Sequence, residues 1–523
     1  MLRRRGALLA WGLAFALALT ACDNAPPTSD DPVPGGELRV AVRDLGSLDP
    51  ATATGRGAML VVSQLFDPLT TVDPKTGFAG PGAASAWTTA PDGLSVTFTI
   101  PPAKFHDGTP VTPADFKAAF DRITRKATNS DVAFQFEAVK GFHQVKIAGT
   151  AQTLAGVSAG PTTLTFLLDR PFQELPLYLA HPALGPLSKS MAAKPAALQA
   201  HPIGNGAFKM AADRSSDSIM LQRYDDHAGS TALLERIQVR LVADGDQGWR
   251  DFLAGRTDVA EVPAEAIAGS QARAGRSGFG PFWAALYYGM NLKNPNFAKA
   301  EVRKALSLAI DRKQIADVVY GGTKEEASGI IPRGIRGFSD NACADCARDT
   351  ERARSLIATA FGGRPPEMII DHLNASPSAE VAQAIAGDLQ EVGLKVALRA
   401  HNSTDYLKLL QAGGHQIAEL GWLAEVPSPD GFLAQQLRTG SPNNHTGFAD
   451  PTFDTYIDRA RASANETDRL MAYSAAEKRA FELMPMIPIV FFRNHVGVAP
   501  KVRGLSIDGA GLFDATGIWI AAS

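Results

Sequence analysis

Between Met368 and Leu398 the hydrophobic period of this chain switches from strand to helix and back. Met368-Ile369-Ile370 is a short apolar strand. Ser378 to Val392 is an amphipathic helix closed by Gly393, and Leu394-Lys-Val-Ala-Leu398 resumes at once as strand. This is a βαβ unit, whose helix must cover one face of a parallel strand pair. Alternating apolar residues predict further strands at Leu38-Val40-Val42, Leu94-Val96-Phe98-Ile100, Leu164-Phe166-Leu168 and Ile237-Val239-Leu241. Val302, Ala305, Leu306, Ala309, Ile310, Val318 and Val319 predict one long helix from Glu301 to Tyr320, stopped by Gly321-Gly322. The fold class is therefore mixed α/β, and no repeat of fixed period is present.

The N-terminus carries an address. Arg3, Arg4 and Arg5 precede an apolar run from Gly6 to Leu19, too short for a bilayer span of about 20 residues. The pattern is that of a signal peptide over residues 1–21. Leu19-Thr20-Ala21-Cys22 resembles the lipobox of bacterial lipoproteins, which implies acylation of Cys22. A Pro-, Gly- and Asp-rich leader completes a flexible segment over 22–36, with a reach of roughly 40 to 50 Å. The remaining length suits two or three lobes. A net charge of -3 without a later basic cluster argues against nucleic acid as a partner. No later segment has the apolar length of a membrane span, so membrane attachment would rest on Cys22 alone.

Motifs for catalysis are weak. Gly156-Val-Ser-Ala-Gly160 fits the nucleophile elbow of serine hydrolases, but Pro161 and the strand from Leu164 follow where a helix should, so Ser158 is expected on a hairpin. An exported hydrolase using Ser158 is the alternative of another class. Gly509-Ala-Gly511 lacks the strand and helix of a dinucleotide site. Cys343 and Cys346 have no second ligand pair for zinc, and outside the cytoplasm a small structural disulfide is expected. The ten histidines do not pair at helical spacing. No catalytic residue, metal site or cofactor is expected.

Several segments in order carry a family resemblance. Trp87-Thr-Thr-Ala-Pro-Asp-Gly-Leu94 and Lys104-Phe-His-Asp-Gly-Thr-Pro-Val-Thr-Pro-Ala-Asp-Phe116 are followed by Pro202-Ile-Gly-Asn-Gly-Ala-Phe208. Then come Asn291, Phe297, Val302-Arg-Lys-Ala-Leu-Ser-Leu-Ala-Ile-Asp-Arg312, Gly421-Trp422, Asp450-Pro-Thr-Phe-Asp454 and Pro485-Met-Ile-Pro488. Together they resemble the family 5 solute-binding proteins of bacterial ABC importers, the peptide and nickel group, from about Gly36 to Ser523. The resemblance implies a two-lobed type II binding-protein fold with an extra domain in the first lobe. Lobe I would comprise 36–80, 200–285 and 496–523, the extra domain 81–199, and lobe II 286–495.

The resemblance also implies a site. A carboxylate shortly after Gly421-Trp422 would hold a peptide's α-ammonium, and Glu425 stands there, one methylene longer than the family's aspartate. Trp422 would be its apolar wall. Longer-peptide binders carry an arginine two residues before Gly421, where this chain has Glu419; dipeptide binders carry one at the place of His372. The anchor for a ligand carboxylate is thus replaced. Asn444 and Phe491 correspond to a polar and an aromatic cleft residue, and Ser47 and Leu48 to the lobe I lip. The expected ligand is an oligopeptide or dipeptide, with a metal chelate or other small cationic solute, tested by His372 and His445, as the alternative. The expected partners are an ABC permease and its ATPase, with the chain a monomer held by lipid on the outer face of the cytoplasmic membrane.

Overall fold

The computed structural model describes residues 31–267 and 278–521. The expected signal peptide over residues 1–21 and Cys22 lie outside the described residues. The main sheet runs Phe208–Met210, Ser218–Arg223, Arg236–Leu241, Glu37–Val42, Val259–Glu261, Met486–Val498, Phe279–Met290, Ile417–Leu423, Glu367–Leu373, Lys395–His401. Its two longest strands, Phe279–Met290 and Met486–Val498, are antiparallel neighbours and carry the chain between two lobes. Val496 to Val498 pair with Val259–Glu261 on one side, while Ala284 to Met290 pair with Ile417–Leu423 on the other.

Each lobe is built as its hydrophobic pattern requires. In the first, Leu38 and Val40 sit beside Ile237 and Val239 in a parallel pair, and their inward faces are buried under helix Arg56–Leu65. In the second, Glu367–Leu373 and Lys395–His401 pair in parallel around helix Ser378–Glu391, the βαβ unit expected from sequence. Val381, Ala382, Ile385, Ala386 and Leu389 form that helix's buried stripe. Gly393 then turns the chain at φ +91°, a value an L side chain resists.

A separate core gathers residues between Ala51 and Leu198. Its four-stranded antiparallel sheet runs Ala86–Thr89, Ser95–Thr99, Thr163–Leu167, Val157–Ala159. Phe98, Phe120, Phe136 and Phe166 fill the space beneath helix Pro113–Thr124. Ser158 lies on the edge strand of this sheet, opposite Thr165 in a hairpin, and no helix follows it.

One expectation is corrected. The single helix from Glu301 to Tyr320 is two pieces, because Ile310 leaves the helical region at φ -76° and ψ 128° and Asp311 caps a new start on Gln314 N–H. Val318 consequently lies 71% exposed, off the apolar stripe. The break turns Arg312 inward, where it donates to the carbonyls of Pro488 and Cys346, both at 2.7 Å, and to Ser307. Cys343 and Cys346 are joined as a disulfide in the short turn that supplies the Cys346 carbonyl.

Candidate functional site

Strand Ile417–Leu423 organises the lobe II side of the site. Period two puts Glu419, Gly421 and Leu423 on one face, opposite Tyr288, Leu286 and Ala284 of the long strand beside it. Trp422 points to the other face, where its indole meets the Phe134 ring edge-on at 6.0 Å. Helix Pro429–Leu437 gives that indole room with Gly431, whose added Cβ would sit 3.0 Å from Trp422 Nε1.

Past Leu423 the chain turns, pinned by Ala424 N–H on the Trp283 carbonyl at 2.7 Å, and presents Glu425. Gln135 Nε2 donates to Glu425 Oε2 at 2.6 Å, and His181 Nε2 lies 3.5 Å from Oε1. Ala183 N–H donates to His181 Nδ1, so the ring proton resides on Nε2 and faces the carboxylate. Gln135 is 2% exposed, yet its Oε1 is buried without a partner. A glutamate and an unused amide oxygen thus share one place, with the Trp422 indole on the neighbouring Phe134, a setting for a cation bearing N–H donors.

A sealed seam joins this region to the segment that carries Gln135. Glu174 accepts from Tyr473 OH at 2.8 Å and Ser428 Oγ at 2.9 Å, with Arg336 at 3.4 Å. Burial raises its carboxyl above the usual range, partly offset by Arg469. Gln435 adds a bond to Glu137 at 3.1 Å.

The lobe I wall stands at the carboxyl ends of Glu37–Val42 and Val259–Glu261, where open α/β sheets hold ligands. Asp44, Arg56, Glu261, Val242 and Phe513 line a cavity of about 90 Å³ there. Its cations are committed: Arg43 to Glu261 at 2.9 Å, Arg56 to the Gly511 carbonyl at 3.0 Å. Asp44 Oδ1 is buried without a partner. Burial pushes Asp508, behind Arg56, up to about 6.

Of the residues expected from sequence, Gly421 and Trp422 lie on opposite faces of strand Ile417–Leu423, and Glu425 follows in the turn after it. His372 is 5% exposed and shares the Glu419 face of the sheet, a ring nitrogen 2.9 Å from the Leu373 carbonyl. Three others are corrected, Leu48, Phe491 and Asn444. Leu48 is fully buried in the lobe I core, and Phe491 is 2% exposed with its edge on Phe338, so neither forms a lip or wall. Asn444 spends its amide on the carbonyls of Leu437, Arg438 and Phe448, which closes its own loop. Ser47 Oγ is tied to Thr52 and Gln199. His445 keeps company with His415 rather than His372, and among the described residues no trio of His, Cys, Asp or Glu could hold a metal ion. Phe134, Gln135 and His181 went unforeseen. Gln135 and His181 reach Glu425 across 290 and 244 positions, and Phe134 meets Trp422, links that no local pattern encodes.

Residues 79–444 match the description "Bacterial extracellular solute-binding proteins, family 5 Middle", and the chain belongs to that family. It is 24% identical to the oligopeptide-binding protein OppA of Bacillus subtilis over 98% of both chains. It is 26% identical to the periplasmic murein peptide-binding protein MppA of Escherichia coli over 88% of both. HbpA2 from Haemophilus parasuis shares the fold at TM-score 0.81 and 22% identity, over 93% of this chain and 100% of that one.

Proposed function

We propose that this family 5 solute-binding protein captures peptides between its lobes and delivers them to an ABC permease, without a chemical step of its own. The observation that carries the reading is the Glu425 cluster. A carboxylate held by Gln135 Nε2, with the spare Gln135 oxygen next to it, suits a peptide's α-ammonium. The names of OppA and MppA, both peptide binders, support the same ligand class.

In this reading lobe I comprises 36–80, 200–285 and 496–523, with an extra domain at 81–199, and lobe II comprises 286–495. The two long strands act as the hinge, and closure buries the ligand while reopening releases it. Cys22, acylated after cleavage, would hold the monomer near its permease and raise its local concentration there. His372 and Glu419 stand where an arginine would meet a ligand carboxylate, so no arginine holds the peptide's C-terminus at either place.

Native mass spectrometry of freshly purified protein tests the reading. A ladder of retained peptide masses is expected. Retention of a metal chelate alone would contradict it.

A further inference from the structure

The lobe II face that carries Glu419 holds an unused set of polar atoms. Glu419 Oε1 accepts from Ser378 Oγ at 2.9 Å, while Oε2 is buried and makes no well-formed hydrogen bond, with the Leu373 backbone N–H a further donor near the carboxylate. Tyr288 lies directly opposite Glu419 across the strand pair, is 0% exposed, and its hydroxyl also lacks a partner. Tyr320 and Tyr406 are close enough to feel the Glu419 charge as well. Tyr406 is already engaged, donating to the Glu419 backbone carbonyl at 2.6 Å, so it fixes the strand rather than a ligand. His372 flanks the same face.

An unpaired carboxylate oxygen sealed among phenol rings is costly unless a donor arrives. A cation with N–H groups suits these features, because it can donate to both Glu419 Oε2 and the Tyr288 oxygen. Access is provided by Gly421, exposed and without a side chain, between Glu419 and the 51% exposed Leu423. Glu419 and Leu423 are four strand positions apart, roughly 13 Å, and Glu425 follows, so one extended tri- to pentapeptide spans the two carboxylates.

We infer that Glu419 and Tyr288 form a second ligand subsite that takes a primary ammonium group, as on a lysine side chain of the bound peptide. The inference rests on the peptide reading for its ligand but not for its chemistry. The chain thereby selects basic peptides where a positively charged residue at position 419 would select a free carboxylate.

Calorimetry of the full mature chain tests this with tetra-alanine peptides bearing one lysine at position two, three or four, each against its norleucine counterpart, and with 1,5-diaminopentane. The wild-type protein binds one lysine peptide about tenfold or more tighter than its norleucine partner, as a charge-assisted hydrogen bond predicts. In Glu419→Gln that ratio falls to about one, and Gly421→Val, which blocks the approach, does the same by another route. Equal affinity for every pair in the wild type overturns the subsite and leaves the peptide reading standing. If no peptide binds but the diamine does, and Glu419→Gln abolishes it, the subsite stands and the peptide reading falls. Binding of neither overturns both.

Discussion

Arg461 lies flat on Asp430, Nε to Oδ1 at 2.7 Å and Nη2 to Oδ2 at 2.8 Å, with both side chains shut off from water. Tyr178 and Tyr473 add their hydroxyls to the same carboxylate at 3.3 and 3.1 Å. The pair roots the seam through which Gln173 N–H reaches the Arg461 carbonyl at 2.9 Å. It therefore helps hold Gln135 and His181 against Glu425 and Phe134 against Trp422.

Arg461→Met removes one partner and strands a buried carboxylate. Such a break costs about 3–5 kcal/mol, and adding Asp430→Asn recovers part of it. Urea unfolding followed by tryptophan fluorescence measures both variants. A single-mutant loss below about 1 kcal/mol would show that the pair does not hold the seam.

Glu477 makes stability depend on pH. Its carboxyl accepts from Ile330 and Ile331 N–H at 2.8 and 3.1 Å, but burial dominates and lifts it to about 7. A carboxyl raised in the folded state favours its protonated form, so its contribution is complete below the unfolded value near 4.5 and is lost as pH rises through about 7. Glu477→Gln keeps an acceptor for both N–H groups without the charge. It should gain on the parent by ~2–3 kcal/mol at pH 8.5 and be level with it at pH 4. Paired thermal melts across this range decide the matter; a difference independent of pH would refute the assignment.

Gly509 supports the crossing strands by having no side chain. Its carbonyl accepts from Trp283 N–H at 2.6 Å, and an added Cβ would lie 2.0 Å from Trp283 Nε1. Gly509→Ala must displace the indole from the start of the lobe II pairing. A loss of about 1–3 kcal/mol is expected, with altered Trp283 fluorescence. An unchanged melting temperature and spectrum would mean that the indole has room to move.

The fold was legible where burial follows a simple period. Leu38, Val40, Val381 and Ile385 are inward because strand and helix geometry alone place them so. Ile310 was not, since its break depends on Arg312 finding the Pro488 and Cys346 carbonyls far along the chain. At the candidate site, Glu425 and Trp422 were singled out by motif order. Gln135 and His181 were not, because two segments distant in sequence supply them. Leu48 and Phe491 show the converse: their positions follow the family's motif order, yet their side chains pack into the interior.

The central claim is that Glu425 anchors a peptide's α-ammonium, and calorimetry with a peptide library and with the N-acetylated form of its tightest binder tests it most directly. Loss of a charge-assisted bond predicts about 10- to 100-fold weaker binding for Glu425→Gln with the free peptide, and a similar loss for the acetylated peptide with the parent. The two changes should not add, because each removes the same contact. If Glu425→Gln binds the free peptide as tightly as the parent does, the account is wrong.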